Sequence, residues 1–536
     1  MKNIKNIFRK VRIGLLIPVI AFILIFSSCE KIIDLQPYNQ VSETTAFTSV
    51  QTIELAITGM YNAAQLGYYN NTPRGYPFGA AFVEQGDNRG EDVVNTQAFY
   101  QYTYTATYTT STANNTWMWS DTYRLINRCN IIIDGVRKAG ASGIITAAVA
   151  AQYEGEARFL RAAAYHELMI HFARPYMHTA DHSHFGVPYY DQPFTTQAAM
   201  DAAMQAGRAT AGVVYTNIIA DLNFAELNVP FKAARLGNKK ISWVTKGAAV
   251  ALKTRIYLHM WDMANVITEG VKFLPGGSLA GEYTLGATPV VPFAAPYANT
   301  ESIFGLEHSA TGNPNTNAAL GNMYGATGSA RKLVVISPII WRNPRWLADD
   351  LRRAANMVTA NGAAANINMY TYKYKDPTTF TDPAPMLRYA EVLLNLSEAY
   401  ARSNDVVNGL TYLNMVRNRS LATPASQAYV AGDFADNIAM VGAILAERRI
   451  EFVMEGRRWS DITRLQHDPI LAYRIDGIPG KVANGYPTTA DYTLGTAYPG
   501  PFNYAYEYSD FRFLWPIPQI EIDTNPKLLE QQNPGW

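Results

Sequence analysis

Residues 386–420 read MLRYAEVLLNLSEAYARSNDVVNGLTYLNMVRNRS. Tyr389, Val392, Leu393, Leu396, Ala399 and Tyr400 recur at helical spacing, which predicts an amphipathic helix over 386–402. A partner helix is expected over 406–420. Two helices within about 35 residues have the size of a tetratricopeptide-type repeat, roughly 34 residues. One such pair cannot bury its apolar face alone, so pairs must stack.

The same pattern extends in both directions. Downstream, 436–454 places Ile438, Val441, Leu445, Phe452 and Val453 along a long helix. Upstream, 46–66 carries Val50, Ile53, Leu55, Ile57 and Met60, and 117–138 carries Trp117, Tyr123, Ile126, Ile132 and Ile133. The stretch 148–174 comes next with Phe159, Leu160, Tyr165, Leu168 and Met169, and helices are expected over 209–227 and 243–272. Strands are not prominent. Long insertions rich in Gly, Pro, Asn, Thr and Tyr separate the helices, near 67–112, 175–205, 273–330 and 466–536. Loops of that length are functional or disordered, and their aromatic content argues against disorder. The fold class is therefore mainly α, a tetratricopeptide-like helical-pair scaffold interrupted by long irregular aromatic-rich loops. Length alone suggests two or three domains. Stacked pairs instead give one α domain over 46–536.

The N-terminus reads as a targeting segment. Lys2, Lys5, Arg9, Lys10 and Arg12 precede an apolar run from Ile13 to Phe26, closed by Ser27, Ser28 and Cys29. A basic n-region, an apolar h-region and small residues before a cleavage point describe a secretory signal over 1–28. The run is too short to span a bilayer core, which needs roughly 20 residues. Cysteine directly after the serines points to lipoprotein processing, with Cys29 as the acylated (palmitate-type) anchor and 29–45 as a tether. Cys129 is then alone, inside a helical pattern, and reads as a small buried hydrophobe.

Charge says little about a polyanionic partner. The chain is formally +1, and removing the five cations of the signal leaves 40 basic and 44 acidic residues. Nothing suggests nucleic acid as a partner. Enzyme motifs fail on spacing. His166, Glu167 and His171 make H-E-x-x-x-H; five helical residues turn 500°, leaving the two histidines about 140° apart and unable to share one zinc. His178, His182 and His184 lie in a loop without an acidic or cysteine-rich context. Glu447, Glu451 and Glu455 share a helix face at intervals of four. Arg448, Arg449, Arg457 and Arg458 are interleaved with them, which predicts ion-paired packing rather than acid–base catalysis. Arg158 and Arg161 with Glu154 and Glu156 read alike. The C-terminal PIPQIEIDTNPKLLEQQNPGW has four prolines and cannot be one helix; it is expected to run extended over the scaffold. No catalytic residue, metal site or cofactor is expected.

The loops carry the candidate chemistry. One cluster is GYYNNTPRGYPFGAAF (67–82), and another is FYQYTYTATY (99–108), whose alternation suggests a short strand with tyrosines on one face. A sugar ring offers a C–H face to an aromatic plane and hydroxyls at its rim, and tyrosines flanked by Asn, Asp and Arg suit both.

Eight blocks in a fixed order resemble one family. They are CEKIIDLQPYNQVSETTAF with AITGMYNA; EARFLRAAAYHELMIHF; GVPYY; KGAAVALKTRIYLHM; ESIFGLEHS; LRYAEVLLNLSEAY with YLNMVRNRS; ILAERRIEFVMEGRRWSDITR; and FLWPIPQIEIDTNPKLLEQQNPGW. Along nearly its whole mature length the chain is similar to the SusD/RagB family, the nutrient-binding outer-membrane lipoproteins of Bacteroidetes. The resemblance implies a surface-exposed, lipid-anchored protein that captures an oligo- or polysaccharide without catalysis. It also implies delivery to a TonB-dependent SusC-like barrel transporter. RagB-like members imply an alternative, the same architecture taking peptides or another nutrient. The resemblance further implies a ligand site built from roughly 68–105 and HSATGNPNTNAALGNMYG (308–325). On this chain the candidates are Tyr69, Asn70, Arg74, Tyr76, Asp87, Asn88, Arg89, Tyr102, Asn317 and Tyr324.

Overall fold

A computed structural model describes residues 45–67 and 73–536. The signal, Cys29 and the candidates Tyr69 and Asn70 lie outside the described residues. Contacts divide the chain between Ala56 and Ile57, and the scaffold and its insertions belong to the second unit, Ile57–Trp536.

The fold is mainly α. After α1 (Val50–Leu66), the long helices are α3 (Ala113–Ala141), α4 (Ala147–Phe172), α5 (Ala211–Asn228), α6 (Lys246–His259), α7 (Met263–Gly270), α8 (Tyr389–Arg402), α9 (Val406–Asn418) and α10 (Asn437–Phe452). A further short helix, α2 (Ala80–Asn88), falls inside the first insertion, and α11 (Arg458–Leu465) comes after α10. Neighbours in sequence pack on one another: α3 on α4, α4 on α5, α5 on α6, α6 on α7, α7 on α8, α8 on α9. This is the stacked-pair scaffold that the periodicity predicts. Its starts are set chemically. Thr146, Thr210 and Thr245 each accept a backbone N–H three residues on, capping α4, α5 and α6, and Asp262, Asp405 and Asp436 do so for α7, α9 and α10.

The expected single helix over 243–272 is two. Trp261 adopts φ +60°, and Asp262 restarts the chain as the cap of α7. A bulky residue in the left-handed region ends a helix, and its indole N–H donates to the Arg464 carbonyl at 3.0 Å.

Strands are short but they matter. Three antiparallel two-stranded ladders pair β1 (Val93–Asn95) with β3 (Val334–Ile336), β2 (Ser302–Leu306) with β6 (Ala384–Arg388), and β4 (Val358–Asn361) with β5 (Asn368–Thr371). In the first, Val93, Val94 and Asn95 face Ile336, Val335 and Val334. That ladder fastens the first insertion to the chain just after the third.

Helix α8 departs from a simple amphipath. Every residue from Tyr389 to Ala399 is buried, including Glu391, Asn395, Ser397 and Glu398. The polar face is satisfied instead of solvated. Arg255 grips Glu391 at 2.6 and 2.7 Å, Asn395 donates to Thr254, Ser397 donates to the Gly409 carbonyl, and Arg464 and Arg402 hold Glu398. Burial alone would raise the Glu398 carboxyl, but the two guanidiniums hold it down at about 2.

The glutamates after α9 are ion-paired, though not with their sequence neighbours. Glu447 receives Arg352 (2.6 Å) and Arg417 (3.1 Å); Glu451 receives Arg419 (2.6 Å), Arg388 and Arg352 (3.0 Å each). Glu455 lies beyond the end of α10, after Met454 at φ +65°, and still reaches Arg388 (2.8 Å) and Lys373 (2.6 Å). The interleaved arginines turn elsewhere: Arg448 to Asp461, Arg449 to Asp92, Arg458 to Glu91. Arg158 pairs with Glu154 and Asp221, and Arg161 with Asp221.

The C-terminal run is irregular apart from two short helical turns, Gln519–Ile522 and Pro526–Glu530. It packs on α4: Trp515 is buried, its backbone N–H donates to the His171 carbonyl, and the Asn533 amide donates to the Phe172 and Trp515 carbonyls. Cys129 is buried, and burial pushes its thiol up to about 12.

Candidate functional site

The stretch 98–104 is a helical turn, not a strand. A 3-10 turn over Ala98–Tyr100 runs into α-helix over Gln101–Tyr104. The difference decides which tyrosines face out. A strand would put Tyr100, Tyr102 and Tyr104 on one face. Helical spacing instead sends Phe99 and Tyr102, three apart, outward, and Tyr100 and Tyr104, four apart, inward. Tyr102 is 58% exposed, while Tyr100 and Tyr104 are buried. Tyr104 donates to the Val482 carbonyl at 2.8 Å and packs with Val94, Val335 and Tyr370.

Opposite this turn, α3 begins after Thr112, and its first turn shows Asn114 and Trp117 on one face. Between them lies a groove of about 480 Å³. Phe99, Tyr102 and Trp117 supply its aromatic surface, and Thr107, Thr109, Ser111, Thr112 and Asn114 supply polar atoms. Among the described residues no carboxylate lines it.

A buried chain of hydrogen bonds supports the wall. Asn114 donates to the Thr103 hydroxyl (3.2 Å), Thr103 to Gln85 (3.1 Å), and Gln85 to the Tyr76 hydroxyl (3.1 Å). Tyr76 also meets Trp117 edge-on, with centroids 6.1 Å apart. Two cations flank the aromatics. The Arg74 guanidinium lies 5.3 Å from the Trp117 centroid, and that of Arg331 lies 5.1 Å from Phe99. Arg331 is held there by a 2.7 Å hydrogen bond to the Asn317 side-chain oxygen.

The described candidates therefore divide. Tyr102, Arg74 and Asn317 are at or beside the groove. Tyr76, Asp87, Asn88, Arg89 and Tyr324 are buried in the core. For Asp87, Asn88 and the adjoining Arg89 the cause is α2, every residue of which is buried; a segment expected to be loop is an internal helix. Asp87 accepts the Gly456 N–H (2.9 Å) and the Tyr324 hydroxyl (3.3 Å). The Asn88 carbonyl accepts the Lys481 ammonium, and burial lowers that amine to about 7. Arg89 donates to the Phe513 carbonyl (2.6 Å) and lies over the Trp459 ring. Sequence reasoning missed Phe99, Trp117 and Arg331. Periodicity places Trp117 only on the apolar stripe of a helix. The spacing of Phe99 and Tyr102 is the signal, and it becomes readable once the segment is taken as a helical turn.

The loop histidines approach one another, with the His178 ring 5.1 Å from His184 and 6.0 Å from His467 between centroids, but each bonds or stacks on other groups. His182 stacks on Tyr176 (3.7 Å), His184 bonds Thr179, and His178 bonds the Tyr508 hydroxyl (2.8 Å). His166 faces His259, while His171 stacks on Trp515. Among the described residues no group of three His, Cys, Asp or Glu side chains is placed to hold a metal ion.

A family model described as "Starch-binding associating with outer membrane" matches residues 31–258, and one described as "SusD family" matches 352–536. A SusD-like protein of Formosa agariphila is 22% identical, with 83% of this chain and 89% of that protein covered. A SusD-like protein of Bacteroides ovatus is 23% identical, covering 95% and 96%. The crystal structure of a SusD superfamily protein from Bacteroides fragilis superposes with a TM-score of 0.71 at 27% identity, over 90% of this chain and 99% of that one. The surface glycan-binding protein A of Bacteroides fluxus shares the fold at a TM-score of 0.65 and 18% identity, over 91% and 100%. Two family models that together cover most of the sequence, relatives aligned over most of their length and a common helical architecture agree, and the chain is similar to the SusD family and shares the SusD superfamily fold.

Proposed function

We propose that this protein captures a carbohydrate in the Phe99–Tyr102–Trp117 groove and delivers it, without catalysis, to a TonB-dependent SusC-like barrel transporter. The observation that carries the reading is the groove itself: aromatic rings beside a row of hydroxyls and an amide. Rings offer flat apolar contact to sugar C–H faces, and the hydroxyls exchange hydrogen bonds with sugar hydroxyls. The family description of starch binding at the outer membrane and the glycan-binding fold relative support it.

Two or three aromatic contacts, each worth about 1 kcal/mol beyond buried area, leave weak affinity after association costs. Weak hold suits a protein that must release its cargo, and tethering beside the transporter supplies effective concentration. Hydrolysis of a glycosidic bond needs two carboxyl groups across it, and a lining without carboxylates favours binding alone. The membrane link is assigned to acylated Cys29 after removal of residues 1–28. No described helix is long and apolar enough to cross a membrane, which is compatible with an anchor of that kind.

The test is affinity electrophoresis and calorimetry of the purified protein against a polysaccharide panel, with mixed peptides alongside. Saturable glycan binding that weakens about fivefold in each of Tyr102→Ala and Trp117→Ala is expected. Binding of peptides only would replace the reading with the RagB-like one. For the anchor, Cys29→Ala is expected to move the protein from the membrane to the soluble fraction. Co-purification of a barrel protein with the wild type tests the partner.

A further inference from the structure

The two charged side chains that meet the aromatic walls are cations, while the acids nearest in sequence, Glu84 and Asp121, are buried. Residues 57–83 contain a single charged side chain, Arg74, and 93–120 contain none. Residues 308–348 carry Arg331, Lys332, Arg342 and Arg345 and no acid. These three segments supply the groove wall and its flanks, in a chain whose acids and bases are otherwise balanced, 44 against 45.

Arg74 and Arg331 are the two cations brought to the aromatic walls, at 5.3 Å from Trp117 and 5.1 Å from Phe99. Neither forms an ion pair among the described residues. Arg331 has only the neutral Asn317 amide oxygen and a long contact to the Met323 sulfur. The Arg74 Nε is buried with no hydrogen-bond partner among the described residues. Elsewhere some buried arginines are paired with carboxylates, as Arg388 is with three glutamates, while others, such as Arg89 and the half-buried Arg353, donate to carbonyls instead. Two buried carboxyls lie close by: Asp121, one helical turn after Trp117 and 3.6 Å from Arg124, and Glu84. Burial pushes Glu84 up to about 8 against the Tyr100 hydroxyl and the pull of Arg331, so it cancels little of the positive charge at neutral pH.

We infer that the groove selects glycans bearing carboxylate or sulfate groups, with Arg74 and Arg331 as the anion-recognising pair. Guanidinium is the cation suited to this work, since its planar fork of donors matches planar carboxylate and tetrahedral sulfate oxygens. Sugar rings lie on the aromatics while their anionic substituents meet the arginines. The inference rests on carbohydrate capture in this groove and narrows it to a chemical class.

The experiment compares chains matched in backbone and differing in charge. Polygalacturonate is set against its carboxyl-reduced form, and carrageenan against its desulfated form. Retardation of one or both anionic chains, about tenfold stronger than of the neutral counterpart and weakening as salt rises, is expected. The carboxylate and sulfate arms separate the two sources of anion. Arg74→Gln and Arg331→Gln should each lose about tenfold for the anionic chain, the size of one charge-assisted hydrogen bond, with melting temperatures compared to exclude misfolding. Equal binding of charged and neutral chains, both weakened in Trp117→Ala, overturns the anionic reading and leaves carbohydrate capture standing. Anionic binding that is indifferent to salt and to both arginine variants also overturns it. No binding of any chain overturns capture itself.

Discussion

The guanidinium carbon of Arg89 lies 3.6 Å from the centroid of the Trp459 indole. The pair is buried, and the same arginine donates to the Phe513 carbonyl and meets the His171 ring nitrogen at 3.1 Å. A residue whose type and position suggested ligand contact instead joins α2 to α11 and the C-terminal run. Arg89→Met is therefore expected to cost about 2–4 kcal/mol in denaturant unfolding, through a lost cation–π contact and unsatisfied buried acceptors. Glycan affinity of the folded fraction should stay within about twofold of wild type. A large affinity loss at unchanged stability would return Arg89 to the binding surface.

Tyr102 is the opposite case. At 58% exposure its removal should alter stability by no more than about 0.5 kcal/mol. Loss of one ring contact of about 1 kcal/mol corresponds to roughly fivefold in affinity. Calorimetry of Tyr102→Ala with the preferred glycan, beside a melting curve, checks both halves.

Glu84 predicts a pH dependence. Its folded carboxyl is raised by burial to about 8, above the usual 4.5. The folded state thus holds a proton that the unfolded chain releases between about pH 4.5 and 8. Its contribution to stability is present below 4.5 and is lost as pH rises towards 8. Glu84→Gln should remove that component, gaining stability over wild type progressively from pH 5 to pH 8. Parallel stability–pH curves for the two proteins would contradict the assignment.

Glu451 works the other way. Burial would raise it, but Arg419, Arg388 and Arg352 hold it well below the usual range. Its stabilisation is present at neutral pH and lost as pH falls from about 4.5 into the acid range. Glu451→Gln leaves three guanidiniums facing one another without that charge and should cost about 3–5 kcal/mol at pH 7, measured by urea unfolding.

Cys129 should be inert. Its thiol is buried and raised to about 12, so thiolate is scarce at neutral pH. Alkylation is expected only after denaturation. Labelling of Cys129 in the native protein would show that α3 opens at this point.

Much of the scaffold was legible from periodicity. The apolar stripe of 386–402 is a local signal, and local signals survive into the fold. The broken helix at Trp261 was not legible, because its left-handed turn is stabilised by a distant carbonyl on Arg464. Nor were the partners of Glu447 and Glu451, which lie up to 99 residues away in sequence. Sequence spacing places charges along a helix but does not say which other helix will face it.

The candidate site divides along the same line. The sequence by itself determined that aromatic, hydroxyl-rich insertions interrupt a helical scaffold, and that 57–83 and 93–120 carry almost no charge. Only the tertiary structure decided that Ala80–Asn88 folds inward, taking Asp87, Asn88 and Arg89 with it, while one helical turn sends Phe99 and Tyr102 out towards Trp117. The physical reason is that composition fixes what a segment can bury or bind, whereas the facing of each side chain depends on whether the backbone turns by 100° or 180° per residue. In a short polar insertion that choice is made by the elements packed against it.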